Sequence, residues 1–438
     1  MPSRPTVCFI APFAAVFSFL VHAATPQAVP FTFSKQDEVL LEGSNLLEQK
    51  LRERALIYVD NDLTEYVTSL AAPMLPRADL PRVTWRFLVQ RDSMPNAFAA
   101  PNGTIYVTSG LLSVLQTEDE LKAILAHEIV HVRDRHSYLF SRRYRSNALV
   151  VNLGTIAMSV VSNYVPVPWG VTLQIMNSVI PDLVAASLFG YSRENERDAD
   201  RDGFGMFAET QPDLAAFQQS FVRLGSEPDT PREPIFWNDH PKLTERVNAA
   251  RAWRAARSDS APAPDVLDSR KRRFLSIVER VKRHNVRLDI DNGRYRAALN
   301  HARELVEWSP TSSNLLVLAL AYRELGPRPV ERRLEQEDDD VSDQTGGRAA
   351  LMRTRAGRAA WQKHSTEAEA LYRRVQTIDP SNGAAYLGIG ELFELDGKHR
   401  DAIQAYSHYL SISPDAANRR AILLRVDNLT RTLTRIVR

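Results

Sequence analysis

The sequence is poor in cysteine, in net charge and in long apolar runs, and each shortage excludes a class of protein. Its one cysteine, Cys8, cannot form a disulfide within the chain, which excludes a disulfide-stabilised scaffold. The net charge of +2 lacks the positive excess that is typical of nucleic-acid-binding proteins, and we expect no nucleic-acid partner. The chain of 438 residues is long enough for two or three globular domains.

The first 24 residues have the pattern of a cleavable secretory signal. Arg4 supplies the positive start, an apolar stretch covers residues 7–21, and Ala23 and Ala24 supply the small residues of a cleavage site. The stretch is shorter than the roughly 20 residues that cross a membrane, although an uncleaved anchor is the alternative. We therefore expect residues 1–24 to be removed and the mature chain to lie in a bacterial periplasm.

The pattern of apolar residues predicts helices around a small sheet in the first half of the mature chain. Residues 35–75 have helical spacing, and residues 83–89 alternate as a strand does. The turn signal Asn102-Gly103 precedes a second strand at residues 104–108. A capped helix is then predicted from Glu118 to His136, because Thr117 can accept a hydrogen bond from its first turn.

Residues 146–190 form the most apolar part of the mature chain. Polar residues and prolines interrupt this segment, so it contains no clean membrane span. We interpret it as one or two amphipathic helices that cover the active site. Shallow contact with a membrane surface is the alternative, and peripheral membrane binding is left open.

An internal repeat marks the last third of the chain. The spacing between Gly293, Ala298 and Pro310 is the same as the spacing between Gly397, Ala402 and Pro414. Pro380 precedes Pro414 by 34 residues, which is the period of tetratricopeptide repeats. The charged segment near residues 327–350 is predicted to be a mobile insertion between the repeats.

The sequence His127-Glu128-Ile129-Val130-His131 has the H-E-x-x-H pattern of zinc peptidases. Residues four apart share one face of a helix, so His127 and His131 can bind one metal ion. Glu128 would then lie beside the open coordination position and act as the general base for water. One Zn²⁺ per chain suits these ligands. His136 is excluded as a ligand, because a continuous helix would turn it about 140° past His131, at about 100° per residue.

A second acidic segment supplies candidates for the third ligand. Glu196 can complete a His-His-Glu site, and Asp200, four residues later, can hydrogen-bond the far nitrogen of a ligand histidine. Spacing alone leaves Glu194 as a competitor of Glu196.

Five motifs together resemble the gluzincin family that includes HtpX-like and CaaX-protease-like enzymes. They are Asn96-Ala97-Phe98-Ala99, Gly110-Leu111-Leu112, the H-E-x-x-H helix, Ser192-Arg193-x-x-Glu196-x-x-Ala199-Asp200 and His240-Pro241-x-x-x-x-Arg246. The signal and the repeats resemble the periplasmic branch of that family. The resemblance implies that Glu196 is the ligand and that an edge strand near residues 96–108, with Asn96, Ala97, Phe98 and Ala99, pairs with substrate.

The resemblance also implies a regulatory role for His240. Its imidazole would approach the metal as a fourth ligand and close the site until it moves away. The alternative is a histidine that caps the next helix. Either His240 or Arg246 could stabilise the oxyanion of the reaction, and a purely structural role for Arg246 is also open.

These observations predict an α+β fold with three parts. A signal peptide at residues 1–24 precedes a mainly helical metallopeptidase domain with a small sheet at residues 25–258. An all-α tetratricopeptide-repeat domain follows at residues 259–438. The predicted activity is zinc-dependent endoproteolysis. The alternative from another class is a chaperone or scaffold for outer-membrane protein assembly, with a metal site that is mostly self-inhibited.

The partners are implied by the resemblance alone. They are unfolded or misassembled outer-membrane proteins, and the β-barrel assembly machinery is a further candidate that would bind the repeats.

Overall fold

A computed structural model of the chain describes residues 31–146, 175–180, 191–228, 243–257, 261–328 and 348–437. Four predictions fall wholly or mostly outside these residues. They concern the signal at residues 1–24, the apolar segment 146–190, His240 and the charged segment 327–350. None of the described helices is both long enough and apolar enough to cross a membrane.

Two capped helices open the described chain. Helix α1 covers Lys35–Glu53 and begins at Ser34, whose hydroxyl accepts a hydrogen bond from the third helical residue. Helix α2 covers Asn61–Ala71 and begins at Asp60, which caps it in the same way, and a 3₁₀ turn follows at Ala72–Met74. The helical stretch predicted at residues 35–75 is therefore two helices.

A three-stranded sheet lies beside these helices. Its strands are β1 (Arg86–Gln90), β2 (Ala97–Ala99) and β3 (Thr104–Thr108), in the order β1-β3-β2. Strand β3 is parallel to β1 and antiparallel to β2. Gly103 permits the tight turn between β2 and β3, because its φ of 91° is in the region that favours glycine.

The sheet order changes one prediction. The edge strand predicted near residues 96–108 is β2 alone, because β3 has a hydrogen-bonded neighbour on each side. Asn96 lies just before this edge, and Ala97, Phe98 and Ala99 form it.

Further helices follow in the described residues of the first half. They are α3 (Ser109–Val114), α4 (Glu118–Arg133), α5 (His136–Ser146), α6 (Arg193–Glu209), α7 (Ala215–Ser226) and α8 (Leu243–Ala255). Helix α4 is buried along nearly its whole length and packs against α6, α7 and β2. This central position suits a helix that carries a reactive site, because the surrounding elements exclude water from it.

Helix α9 (Pro264–Asp291) connects the two halves of the molecule. Its residues Phe274, Leu275, Val278 and Val281 belong to the same hydrophobic core as α4, whereas Val286 belongs to the core of the repeats. The boundary predicted after residue 258 therefore falls before a helix that both cores share.

The described residues that follow α9 are all-helical, as predicted. The helices are α10 (Tyr295–Trp308), α11 (Ser312–Leu325), the single turn α12 (Arg348–Leu351), α13 (Arg355–Ile378), α14 (Gly383–Leu395), α15 (His399–Ile412) and α16 (Arg419–Val437). The end of α9 pairs with α10, α11 with α13, and α14 with α15. Pro310, Pro380 and Pro414 each follow the second helix of a pair by two residues, so the proline spacing marks the repeat.

The chain is thus a mainly helical α+β domain with a small sheet, followed by an all-α repeat domain. The predicted fold class is confirmed.

Candidate metal and catalytic site

Helix α4 carries three of the predicted site residues. Thr117 caps the helix by accepting a hydrogen bond from the Glu120 backbone N–H at 3.2 Å, as the sequence predicted. Because the helix is regular through His127 and His131, their side chains share one face, and their Nε2 atoms lie 2.9 Å apart. The helix ends at Arg133, before the predicted end at His136.

Helix α6 brings a buried carboxylate to the same place. Glu196 is fully buried, with Oε2 at 3.5 Å from His127 Nε2 and Oε1 at 3.7 Å from His131 Nε2. Glu194, the competitor that spacing left open, is exposed on the same helix. Burial therefore separates the two glutamates where sequence spacing does not.

These three side chains form the one group of potential metal ligands found among the described residues. Tetrahedral zinc with bonds of about 2.0–2.1 Å requires ligand atoms about 3.3 Å apart, and the three separations lie near that value. Two imidazole nitrogens and a carboxylate are also the chemistry of catalytic zinc sites. The donor set fits a zinc ion.

The charge of the site also favours a cation. Burial lowers the pKa of His127, but hydrogen bonds to Asp200 and Glu196 outweigh it and raise the pKa to about 9. The carboxylates of Asp200 and Glu196 thus favour the positively charged form of the His127 imidazole. Their effect is strong because the site is buried.

Glu128 lies next to this group and has little contact with solvent. Burial raises the pKa of Glu128 to about 7, partly offset by His127. The edge strand β2 packs against α4, the helix that carries Glu128. A carboxyl group that exchanges a proton near neutral pH is suited to general acid–base chemistry.

Asp200 holds the far side of His127. Its Oδ1 lies 3.0 Å from His127 Nδ1, so the predicted geometry of a carboxylate behind a ligand histidine is present. Arg246 in turn donates to both Asp200 oxygens, at 2.6 and 2.8 Å, and stacks on the Phe221 ring at 4.1 Å. Burial raises the pKa of Asp200, but Arg246 and His127 outweigh it and keep the pKa below the usual range.

This geometry favours the structural role for Arg246 over stabilisation of an oxyanion. The guanidinium of Arg246 contacts His127 at Nδ1, 3.3 Å away, and His127 faces His131 and Glu196 with Nε2 instead. Arg246 is therefore behind the imidazole and orients Asp200. His240 lies outside the described residues.

His131 has a partner that the sequence did not reveal. The Nδ1 atoms of His131 and His136 are 2.8 Å apart, and the Tyr191 ring stacks on His131 with centroids 4.4 Å apart. The exclusion of His136 assumed a continuous helix. The chain instead turns at Arg135, with φ of 59°, and brings His136 back to the outer nitrogen of His131.

Two glycines on α6 provide a matched test of how closely α4 and α6 pack. A Cβ atom at Gly203 would lie 3.1 Å from the His127 backbone nitrogen, whereas one at Gly205 would meet nothing within 4 Å. We expect Gly203→Ala to destabilise the fold by about 1–3 kcal/mol and to lower zinc affinity about tenfold, because it moves His127 away from Glu196. Gly205→Ala should be neutral or stabilising by about 0.5–1 kcal/mol. Melting and zinc competition measure both effects, and equal behaviour of the two variants would contradict the expectation.

Comparison with known proteins finds a family model that covers the site. Peptidase family M48 matches residues 61–254. A Vibrio cholerae protein provisionally named as a beta-barrel assembly-enhancing protease is 29% identical over 222 residues, which cover 49% of this chain and 44% of that protein. The Escherichia coli K12 beta-barrel assembly-enhancing protease is 26% identical over 210 residues, which cover 46% and 41%. The Schizosaccharomyces pombe mitochondrial metalloendopeptidase OMA1 is 26% identical over 191 residues, which cover 43% and 52%.

The matched part spans about half or less of the length of each of these relatives. Among solved structures, the crystal structure of yeast Tom70 aligns with 92% of this chain and 75% of its own, at 11% identity and a TM-score of 0.27. That score is too low to indicate a shared fold. Residues 61–254, which contain Glu128 and the group formed by His127, His131 and Glu196, therefore match the model of Peptidase family M48.

Proposed function

We propose that the chain is a zinc-dependent endopeptidase whose ligands are His127, His131 and Glu196. The observation that supports this most strongly is the convergence of these three buried donors, from two helices, at separations that suit one zinc ion. When bound, zinc supplies Lewis-acid chemistry, which lowers the pKa of a coordinated water and polarises a carbonyl group.

Glu128 is the proposed general base. It would take a proton from the water that attacks the carbonyl carbon of a peptide bond. It would then donate the proton to the departing amine nitrogen as the C–N bond breaks. Asp200 and Arg246 keep the His127 ring oriented, and His136 does the same for His131.

Substrate would bind as an added strand along β2. In the antiparallel pairing, the Asn96 carbonyl accepts a hydrogen bond from the Thr108 N–H and the Ala100 N–H donates one to the Thr104 carbonyl. Phe98 is the residue opposite Tyr106. The backbone groups of the residues between them, Ala97 and Ala99, therefore face away from β3. Since β2 packs against α4, which carries Glu128, a peptide along this edge would pass beside the proposed base.

The names of the relatives support a more specific proposal. We propose that the clients are unfolded or misassembled outer-membrane β-barrel proteins, degraded in the periplasm. The paired helices of residues 264–437 would bind the client or its assembly machinery, because such arrays commonly present a concave protein-binding surface.

Removal of the metal tests the proposed reaction. We expect a chelator to abolish cleavage of an unfolded outer-membrane β-barrel polypeptide and one equivalent of Zn²⁺ to restore it. Glu196→Gln should lower zinc affinity by more than about 100-fold, because a neutral amide replaces a ligand carboxylate. The matched control is Glu194→Gln, which changes an exposed glutamate on the same helix.

The readouts are product formation by mass spectrometry and zinc content. Cleavage that persists in chelated, zinc-free protein would exclude a metallopeptidase. If zinc binds as expected and no substrate is cut, a scaffold with a self-inhibited site remains.

A further inference from the structure

The segment that leads into β2 is held by contacts on two sides. On one side, the peptidase domain holds it, because the Gly110 N–H donates to the Asp92 carbonyl and the Asn96 N–H donates to Thr108 Oγ1, at 2.8 and 2.9 Å. A Cβ atom at Gly110 would lie only 2.3 Å from the Ser93 carbonyl oxygen, so the backbones touch here. The segment therefore has no room to move toward the peptidase domain.

On the other side, the first helix pair of the repeat domain holds the same segment. Arg294, in the turn between α9 and α10, donates from Nη1 to the Ser93 carbonyl at 2.5 Å and lies 3.2 Å from Met94 Sδ. Asn292 in that turn donates to Ser93 Oγ at 2.5 Å. Two side chains of the repeat domain thus hold Ser93, and Arg294 also contacts Met94, three residues before the edge strand.

A buried network keeps the Arg294 guanidinium in place. Nη2 donates to Glu227 at 2.6 Å, and Nε lies 3.5 Å from Asp289. His301 connects the two carboxylates, at 2.9 Å from Asp289 and 3.3 Å from Glu227. Burial lowers the pKa of His301, but Glu227 and Asp289 outweigh it and raise the pKa to about 10, whereas burial raises the pKa of Asp289. Such a buried network has one favoured geometry, because each polar group must keep its partner.

The repeat offers an internal comparison. Gly293 and Gly397 precede Arg294 and Lys398 at equivalent repeat positions, with φ of 73° and 71°. The backbone N–H groups of Arg294 and Lys398 donate to the carbonyls five residues earlier, so the two turns have the same form. The Arg294 side chain is 3% exposed and reaches the peptidase domain, whereas Lys398 is 46% exposed and pairs with Asp396. The repeat fold therefore needs no buried arginine at this position.

We propose that Arg294 is a positioning residue for substrate binding: it fixes the Ser93–Met94 segment so that β2 presents the Ala97 and Ala99 backbone groups to an extended peptide. Arg294 touches neither the predicted metal ligands nor Glu128 in any described contact, so it acts through β2. The proposal rests on the proposed function in one respect, namely that the peptide pairs with β2.

The first test measures β2 in the intact, zinc-loaded protein without substrate. In Arg294→Gln, we expect amide hydrogen exchange in residues 94–100 to be about tenfold faster, because the contact of Arg294 with the Ser93–Met94 segment is lost. Exchange in α4 and α6 should stay within about twofold of the parent protein. Arg294→Lys, which keeps the charge, should be intermediate, and the matched control Lys398→Gln should be unchanged.

The second test measures cleavage of an unfolded outer-membrane β-barrel polypeptide. We expect Arg294→Gln to raise KM about tenfold and to leave kcat within about twofold, because strand pairing contributes to binding before and during the reaction. Zinc content should be unchanged. Lys398→Gln should have the parent KM, and Arg294→Lys should recover part of the loss.

Unchanged exchange in residues 94–100, or an unchanged KM, would overturn the proposal, as would an equal effect of Lys398→Gln. If Arg294→Gln unfolds the domain, the exchange test is repeated with Asn292→Ala, which removes only the second contact to Ser93. Unaltered exchange in residues 94–100 of that variant would also overturn the proposal. The exchange test needs no catalysis. A chain that cuts nothing but shows the exchange result would refute the proposed function and retain the link between Arg294 and β2.

Discussion

Replacing Glu128 with glutamine is expected to lower kcat/KM for an unfolded polypeptide by about 10³–10⁴-fold, because the amide cannot accept and return a proton. Glutamine has the same size, and it removes a charge that burial disfavours at this position. The melting temperature and the zinc content should therefore be equal to or above those of the parent protein. The measurements are initial cleavage rates, thermal melting and bound zinc in one preparation.

Glu128→Asp is the matched control for this variant. It keeps a carboxylate but withdraws it by one methylene, and we expect an intermediate loss of rate with unchanged zinc. If Glu128→Gln cut substrate as fast as the parent protein, the proposed base would be wrong. If neither protein cut while Glu128→Gln preserved every assembly phenotype in cells, the scaffold function would be favoured.

The second large effect concerns the buried pair formed by Asp200 and Arg246. Removing either partner alone, in Asp200→Asn or Arg246→Met, is expected to destabilise the fold by about 3 kcal/mol, because the other charge remains buried. Zinc affinity should fall about 10–100-fold in both, since the His127 ring loses its fixed orientation. Arg251→Met is the control, as Arg251 is exposed on the same helix α8.

A double-mutant cycle then isolates the pair. The double variant Asp200→Asn/Arg246→Met should be less destabilised than the sum of the single variants by about 2 kcal/mol. Chemical denaturation supplies the four free energies of unfolding. Simple additivity of the two changes would mean that the ion pair has no role in stability beyond the packing of its side chains.

The sequence was sufficient for the parts of the site that are local. His127, Glu128 and His131 lie within five residues on one helix, so helical periodicity alone puts the two histidines on a common face. Glu196 required more, because Glu194 is only two residues away and periodicity does not say which side of α6 is buried. The packing of α6 on α4 at Gly203 settles which face is inward.

The partners of two buried arginines could not be read from the sequence. Arg246 is 46 residues from Asp200, and Arg294 is 201 residues from Ser93. The motif that contains Arg246 does not identify its partner, and Arg294 belongs to no pattern that distinguishes it from the chain's many solvated arginines. The one available signal is the repeat itself, since Arg294 and Lys398 occupy the same position and only the three-dimensional structure shows that one is buried.

The sharing of α9 between the two cores has a consequence for the order in which the protein is made. Helix α4 is synthesised first, but residues that complete its core, from Phe274 to Val281, follow about 150 residues later. Lys282, which donates to the carbonyls of Ser113 and Leu115 at the end of α3, comes later still. The growing chain therefore contains the histidines of α4 before it can bury them. We expect the proposed peptidase activity to begin only after α9 has been synthesised.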